Sequence, residues 1–453
     1  MITHRSSLIC LLLFVHGAAG LHKAVDTVLV QVPLRSDQGR EGGQPALDLV
    51  PLDGKARLES ELEGKLVANV SSAPLEVGSA SRRQQGRLLK ELAVPIAAIL
   101  CGLAALQVES TKLLGKIALF FGAQTFMNLY MKAVLSKSVV SSELGMAGVP
   151  AAFAITAIQQ LVSFVLLGVG VLGSQLTPWK YTPKKLTTPR QLGMVLCFSL
   201  SFTLNIALNN FSLSMLDISV NLIIRSVAPL TTLIVQVAFT RCLGSKSLEP
   251  VEIGLMLIGA LCGLIAVIAK GHGLTNAADS SHLIWGGCIC LFSLFSAGME
   301  LVLAGLLGSG LGLNPIDTTF YMAVPVALLL SLPIFFVQHP VAWAGHGLMT
   351  DFQILKEVIA LSPGTFGLAL FSGAFAMVYN ILLYNIVQTL SPAFSAFTSN
   401  FNKAATIALS VLLGFEVLPK APWGMVQVFG IIGNMVAFTV YGLYKVRPRG
   451  DKK

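Results

Sequence analysis

Four ionisable side chains lie inside stretches apolar enough for a lipid bilayer: Lys132, Arg225, Glu300 and Lys403. A cation at the centre of such a helix costs about 2.5–3.5 kcal/mol on insertion scales, so it turns toward a bundle interior or a watery cavity and takes a partner there. Three of the four are cations, and Glu300 can neutralise only one. The surplus fits a cavity that receives an anion. Arginine presents a planar fork that donates two hydrogen bonds to a phosphate, and lysine a mobile point charge. Lys132 lies near a helix end, where snorkelling explains it equally well. Arg225 and Lys403 lie nearer mid-helix and are the principal candidates. Around them Asn209, Asn210, Asn380, Asn400 and Asn402 offer amides that donate and accept, as sugar hydroxyls and base edges require. Tyr321, Tyr379 and Tyr384 add rings and hydroxyls. Taken singly, each Asn or Tyr reads as an interhelical hydrogen-bonding group. Together with the cations they form a candidate polar lining.

Such residues need a scaffold that gathers them across lipid. Of the 453 residues 54% are hydrophobic and 12% charged, against about 25% charged in a soluble domain. Apolar runs of about 18–25 residues recur, the length a helix needs to cross the hydrocarbon. The fold class is therefore an all-α polytopic membrane protein; the alternating ten-residue pattern of a β-barrel is absent. The formal charge of +9 has no basic stripe with interleaved aromatics, which argues against a nucleic-acid partner. Seven scattered cysteines without a CxxC give neither a disulfide framework nor a metal site. No HExxH, G-x-S-x-G or paired carboxylates point to an enzyme, and no cofactor is implied.

Residues 1–20, MITHRSSLICLLLFVHGAAG, have the basic start, apolar core and small-residue end of a secretory signal. Residues 21–90 are polar, mixed in charge and rich in Gly, Ser, Arg and Glu, and read as a disordered tail or leader. Residues 91–108 hold one further candidate membrane segment. The main unit spans 112–443, with segments expected near 115–136, 148–173, 191–211, 218–240, 252–270, 283–307, 317–338, 364–388, 392–414 and 422–443. A basic tail, 444–453, follows. If the chain enters the first of these ten from the cytosol, that side carries Lys112, Lys116, Lys180, Lys184, Lys185, Arg190, Arg241, Lys246 and the tail cations. The other side carries Lys137, Lys270, Lys356 and Lys420. The excess of positive charge puts both ends of the unit in the cytosol.

Asn205-Ile206-Ala207-Leu208-Asn209-Asn210 resembles Asn380-Ile381-Leu382-Leu383-Tyr384-Asn385. Each hexapeptide ends one expected helix and precedes another with a single buried cation, Arg225 in the first half and Lys403 in the second. Two halves of five helices have an odd number of crossings and so opposite orientations, an inverted repeat with its site at the interface.

Asn209–Thr232, NNFSLSMLDISVNLIIRSVAPLTT, resembles the third-to-fourth-helix signature of the triose-phosphate translocator and nucleotide-sugar transporter family, within the drug/metabolite transporter superfamily. The resemblance covers roughly residues 113–443 and implies a ten-helix, five-plus-five inverted repeat. In it Arg225 matches the substrate-anion cation. Counting from Pro392, the phosphate-clamping Lys-Arg pair of plastid translocators falls on Asn402-Lys403, with one cation missing, while Tyr379 matches a tyrosine of their site. Asn400-Phe401-Asn402-Lys403 resembles the Gly-Ala-Leu-Asn-Lys motif of GDP-mannose transporters at Asn402 and Lys403. Phe320-Tyr321-Met322-Ala323 lacks both asparagines of their Phe-Tyr-Asn-Asn motif. The implied function is exchange of a phosphorylated sugar: a nucleotide sugar against a nucleotide monophosphate, with triose or hexose phosphate against phosphate as the alternative. A scaffold that kept the fold without transport is the rival of another class. The expected site is Arg225, Lys403, Asn402, Asn400, Tyr379, Lys132, Asn209 and Tyr321. The expected partners are the substrate, its phosphate-containing counter-substrate and the bilayer, with a homodimer left open. A signal before a polar stretch fits the ER or Golgi membrane; the plastid envelope is the alternative, against which Asp26, Asp37, Glu41 and Asp48 weigh.

Overall fold

The computed structural model describes residues 95–446, except 137, 142–143, 145, 179, 216–220, 222–223, 244–248, 272–279, 342, 344 and 413–420. Within helices, some side chains, including those at 132 and 403–412, are also outside the description. The expected signal at 1–20, the polar stretch 21–90 and the tail beyond 446 lie outside the described residues.

The described chain is helical, with two short hairpins. Helix α1 (Pro95–Leu106) precedes α2 (Lys112–Ser136), and the hairpin β1 (Val139–Ser141) and β2 (Met146–Ala147) leads to α3 (Ala152–Gln175). Next come α4 (Pro189–Met215), α5 (Ala228–Leu243), α6 (Pro250–Gly271), α7 (Ser280–Ser309) and α8 (Pro315–Phe336). A hairpin of β3 (Gln338–Pro340) and β4 (Leu348–Thr350) introduces α9 (Asp351–Leu361), followed by α10 (Pro363–Thr389), α11 (Pro392–Leu412) and α12 (Trp423–Val446). Each of the ten expected segments overlaps a described helix, α2 to α8 and α10 to α12, the one at 218–240 only in part. Among the described residues six helices, within α3, α4, α7, α8, α10 and α12, are long and apolar enough to cross a membrane; the apolar stretches of α1, α5 and α6 are shorter.

Local chemistry sets several boundaries. Asn314 accepts the Asp317 amide at 2.8 Å and Pro315 occupies the first turn, so α8 begins there. Thr350 and Gln353 form a reciprocal capping box at the start of α9. This 11-residue helix was not expected: it is too short to read as a crossing, and its buried Ile354 and Val358 lie four residues apart on one face. The segment expected at 218–240 is broken. Arg225 is helical, Ser226 and Val227 form a turn, and α5 starts at Ala228. Pro229 has no amide hydrogen to give the Arg225 carbonyl four residues back, and its ring crowds that position. Arg225 therefore stands at a helix break and not in mid-helix.

Much of the packing repeats when each helix is exchanged for its counterpart, α2 for α7, α3 for α8, α4 for α10, α5 for α11 and α6 for α12, although α7 on α10 and on α11 is not matched. Three pairs map onto themselves, α6 with α12, α3 with α8 and α5 with α11. The others come in swapped couples: α4 on α7 and α2 on α10, α5 on α7 and α2 on α11, α4 on α8 and α3 on α10, α5 on α6 and α11 on α12. The largest core runs through the middle, with Phe120, Phe198, Leu307, Met322, Tyr384, Phe394 and Tyr441 at its centre.

The two ends of α8 mark the two ends of the bundle. At its start, the Tyr181 hydroxyl donates to Asp317 (2.6 Å) and accepts from Asn314 (2.7 Å), Lys184 Nζ donates to the Leu311 carbonyl (2.6 Å), and Tyr321 donates to the Lys184 carbonyl (2.7 Å). Burial and the Asp317 carboxylate push the Tyr181 hydroxyl above the ordinary phenol range. Gln388 on α10 reaches Thr318 at this end, and Lys116 on α2 reaches Thr389. At the other end, Val140, Met146, Val341, Trp343, Met349, Ile354 and Val358 of the hairpins and α9 pack on Tyr130, Ile155 and Phe375. There Asp351, fully buried, accepts the Ala154 amide at 2.9 Å and pairs with His339 at 2.6 Å. It thereby caps α3 from another helix.

The α6–α12 seam depends on close backbone approach. A Cβ added at Gly430 would meet the Ala266 amide nitrogen at 2.7 Å and the Cys262 carbonyl at 2.8 Å. Neither is the end of a flexible side chain. Gly430→Ala is expected to cost about 1–3 kcal/mol and to lower the melting temperature of the purified protein. Gly254, on α6, has nothing within 4 Å of an added Cβ, and Gly254→Ala should leave it unchanged or raise it slightly. Equal melting of the two variants would contradict this packing.

Candidate functional site

Two polar networks cross the core. The first joins α4, the Arg225 segment and α7. Arg225 Nη1 donates to Ser293 Oγ at 3.2 Å and Nη2 to Asn205 Oδ1 at 3.4 Å. Ser293 in turn bonds the Asn205 carbonyl at 2.9 Å. Asn205 Nδ2 donates to Glu300 Oε2 at 3.2 Å. Asn205 thus holds the guanidinium with its oxygen and the carboxylate with its nitrogen. Glu300 is 5% exposed, and its charge acts on the guanidinium. Ser293 and Glu300 are seven residues apart, two turns, and so share a face of α7.

The second network joins α10, α11 and α2. Asn402 Nδ2 donates to Gln124 Oε1 at 2.7 Å, and Thr125 Oγ1 donates to Asn402 Oδ1 at 3.0 Å. Gln124 Nε2 donates to Ser399 Oγ at 2.6 Å. Gln124 also bonds the hydroxyl of Tyr379, whose ring stacks on Phe120 with centroids 5.9 Å apart.

Helix exchange relates two helices of each network: α4 and α7 become α10 and α2, while the Arg225 segment precedes α5, the counterpart of α11. The helices that carry them touch: α7, with Ser293 and Glu300, packs on α10 and on α11. One half brings a guanidinium with a carboxylate behind it. The other brings amides, a phenol and the helix that carries Lys403.

The expected site residues divide accordingly. Arg225 is in the first network, Asn402 and Tyr379 are in the second. Lys403 follows Asn402 on α11 and Lys132 lies on α2, but their side chains are outside the described residues. Asn400 turns elsewhere: two residues rotate a helix by about 200°, and its amide packs at Gly263 of α6, with Nδ2 buried and without a hydrogen-bond partner. Asn209 accepts from Asn221 at 3.4 Å, beside the Arg225 segment. Tyr321 belongs to the latch at the start of α8. Sequence reading did not select Gln124, Thr125, Ser293 or Ser399. Their only signal is an uncharged polar side chain inside an apolar helix. Among the described residues no cluster of His, Cys, Asp or Glu could hold a metal ion.

Gln124→Leu should strand the buried Asn402 amide and cost about 1–3 kcal/mol. The double variant Gln124→Leu/Asn402→Leu should lose less than the sum of the single losses, because one network is removed once. Melting of the four purified proteins measures this; simple additivity would mean that the two side chains are independent.

No protein-family model matches the chain. It is 25% identical over 245 residues to GDP-mannose transporter GONST5 of Arabidopsis thaliana, covering 54% of this chain and 63% of that protein. It is 23% identical over 249 residues to UDP-galactose transporter 1 of the same plant, covering 54% of this chain and 64% of that protein. The chain therefore spans less than two thirds of the length of these curated relatives. A solved protein crystal structure superposes with a TM-score of 0.44 at 14% identity, over 78% of this chain and 99% of that one. The curated relatives are nucleotide-sugar transporters and not enzymes, and this chain, with its apolar helices, is an integral membrane protein.

Proposed function

We propose that the chain is an antiporter that exchanges a nucleotide sugar for a nucleotide monophosphate by alternating access. The observation that carries this reading is the pair of polar networks in the core, with Arg225 in one and Asn402 and Tyr379 in the other, on helices α7, α10 and α11 that pack together. An anion bound between them touches both halves at once, which couples its binding to their relative rocking. The similarity to transporters of GDP-mannose and UDP-galactose supports the substrate class. These two substrates differ in base and in sugar and share a diphosphate, the part that cations recognise.

In this reading α2 to α6 form one half and α7, α8, α10, α11 and α12 the other: ten crossings, five plus five, of opposite orientation. Arg225 now makes long bonds to a hydroxyl and an amide, 3.2 and 3.4 Å. A phosphate offers it shorter, charge-assisted bonds in a bidentate geometry. Lys403 supplies the second cation from α11. A site that stays cationic when empty resists reorientation, which favours obligatory exchange. Triose or hexose phosphate against phosphate is the second reading, and the nearness of Tyr379 to this centre favours it. Both ends of the ten-helix unit face the cytosol, in an ER or Golgi membrane, with the plastid envelope as the alternative.

Liposomes preloaded with a panel of nucleotides and sugar phosphates test the reading. Labelled nucleotide sugar should enter only vesicles loaded with a nucleotide monophosphate. Entry driven by phosphate would select the second reading, and no exchange with any pair would leave a non-transporting scaffold. Arg225→Ala and Lys403→Ala should each reduce exchange by about 100-fold or more, since each removes half of a charged clamp. Their effects should be far from additive. Near-normal transport by well-folded Lys403→Ala would remove that lysine from the site. Cysteines placed in the Lys184 loop and at the C-terminus should be labelled from one face of sealed vesicles, and one beside His346 from the other.

A further inference from the structure

The geometry points to Glu300 as a built-in counter-anion that competes, through Asn205, with the substrate anion for Arg225. The inference rests on the reading that this site takes an anion, and it deepens that reading by assigning a positioning residue on α7. Three observations carry it. Glu300 is 5% exposed inside a helix bundle, where an unpaired carboxylate is costly. Its hydrogen bond comes from Asn205, and the other end of that amide holds the guanidinium. The amide stands between the two charges, so carboxylate and guanidinium attract through a shared partner. Ser293, two turns from Glu300 on α7, takes the other nitrogen of the fork and fixes its plane.

The consequence is a sign. Any favourable interaction that Arg225 makes in the empty protein must be weakened when an anion takes the guanidinium, and the affinity is reduced by that amount. Removing the Glu300 charge while keeping its shape should therefore tighten anion binding. A merely structural role predicts the opposite, because damage to the core loosens a site. The same charge compensates Arg225 when no substrate is bound, so its removal should also make return of the empty carrier rarer and exchange stricter.

The test is isothermal titration of the purified full-length chain with GMP, UMP and inorganic pyrophosphate. Glu300→Gln should bind at least one of these about fivefold tighter or more, and Glu300→Asp should return toward the parent affinity. Asn205→Asp, which sets a negative charge against the guanidinium, should bind more weakly, and it keeps the idea testable if Glu300→Gln does not fold. Unchanged or weaker binding by folded Glu300→Gln overturns the proposal, as does a parent chain that binds none of the three probes. Exchange by the same proteins in liposomes separates the two ideas. Tighter binding without exchange by the parent would sink the antiporter and keep the counter-anion. Parent exchange with no gain of affinity in Glu300→Gln would do the reverse.

Discussion

A guanidinium between membrane helices cannot be left bare. Water is scarce there, and polar groups must find partners within the protein. Most of the centre of this molecule follows from that constraint at Arg225. Its fork requires acceptors, which Ser293 and Asn205 supply from two other helices. Its charge requires an opposite one, which Glu300 supplies behind the Asn205 amide. Those acceptors fix the spacing of α4 and α7, two of the most closely packed helices. The turn at Ser226 and Val227 separates Arg225 from α5.

The second network meets the same demand without a described charge. Asn402, Gln124 and Thr125 bond one another, so these side chains hold α2 against α11. Elsewhere side chains also satisfy helix ends from a distance. Gln236 of α5 accepts the Ala393 amide at the start of α11, as Asp351 does for α3. Aromatic stacking completes the α11–α12 contact, where Phe401 and Phe438 lie 4.2 Å apart. Polar satisfaction sets the register and close apolar packing supplies the area.

Much of the helix plan was legible in the sequence, because length and apolarity report directly on the bilayer. Arg225 and Glu300 were legible for a related reason: an ionisable group in an apolar run is expensive, so its presence demands an explanation. Gln124, Thr125 and Ser293 were not. An uncharged polar residue in a membrane helix costs little and is common, and the partners of Gln124 and Thr125 lie 275–278 residues away. Which helices touch decides their role. Asn400 and Asn402 look alike in sequence, and only helix rotation separates them. The start of α5 was misplaced because the apolar run continues through Pro229, while hydrogen bonding does not. Helix α9 was missed because one buried face over 11 residues leaves a weak pattern.

The helix exchange that relates the two halves does not extend to their ends. One end is shut by hairpins, α9 and a buried carboxylate on a backbone amide, over a hydrophobic floor. The other is closed by a loop held through a phenol, an asparagine and one lysine. The first is a dry hinge whose opening exposes apolar surface. The second is a wet clasp whose opening trades hydrogen bonds for water. Similar packing in the middle thus coexists with two closures of different chemistry. Under the proposed alternating access, two ends closed by such different chemistry would open at unequal cost, set by the caps and not by the middle of the bundle.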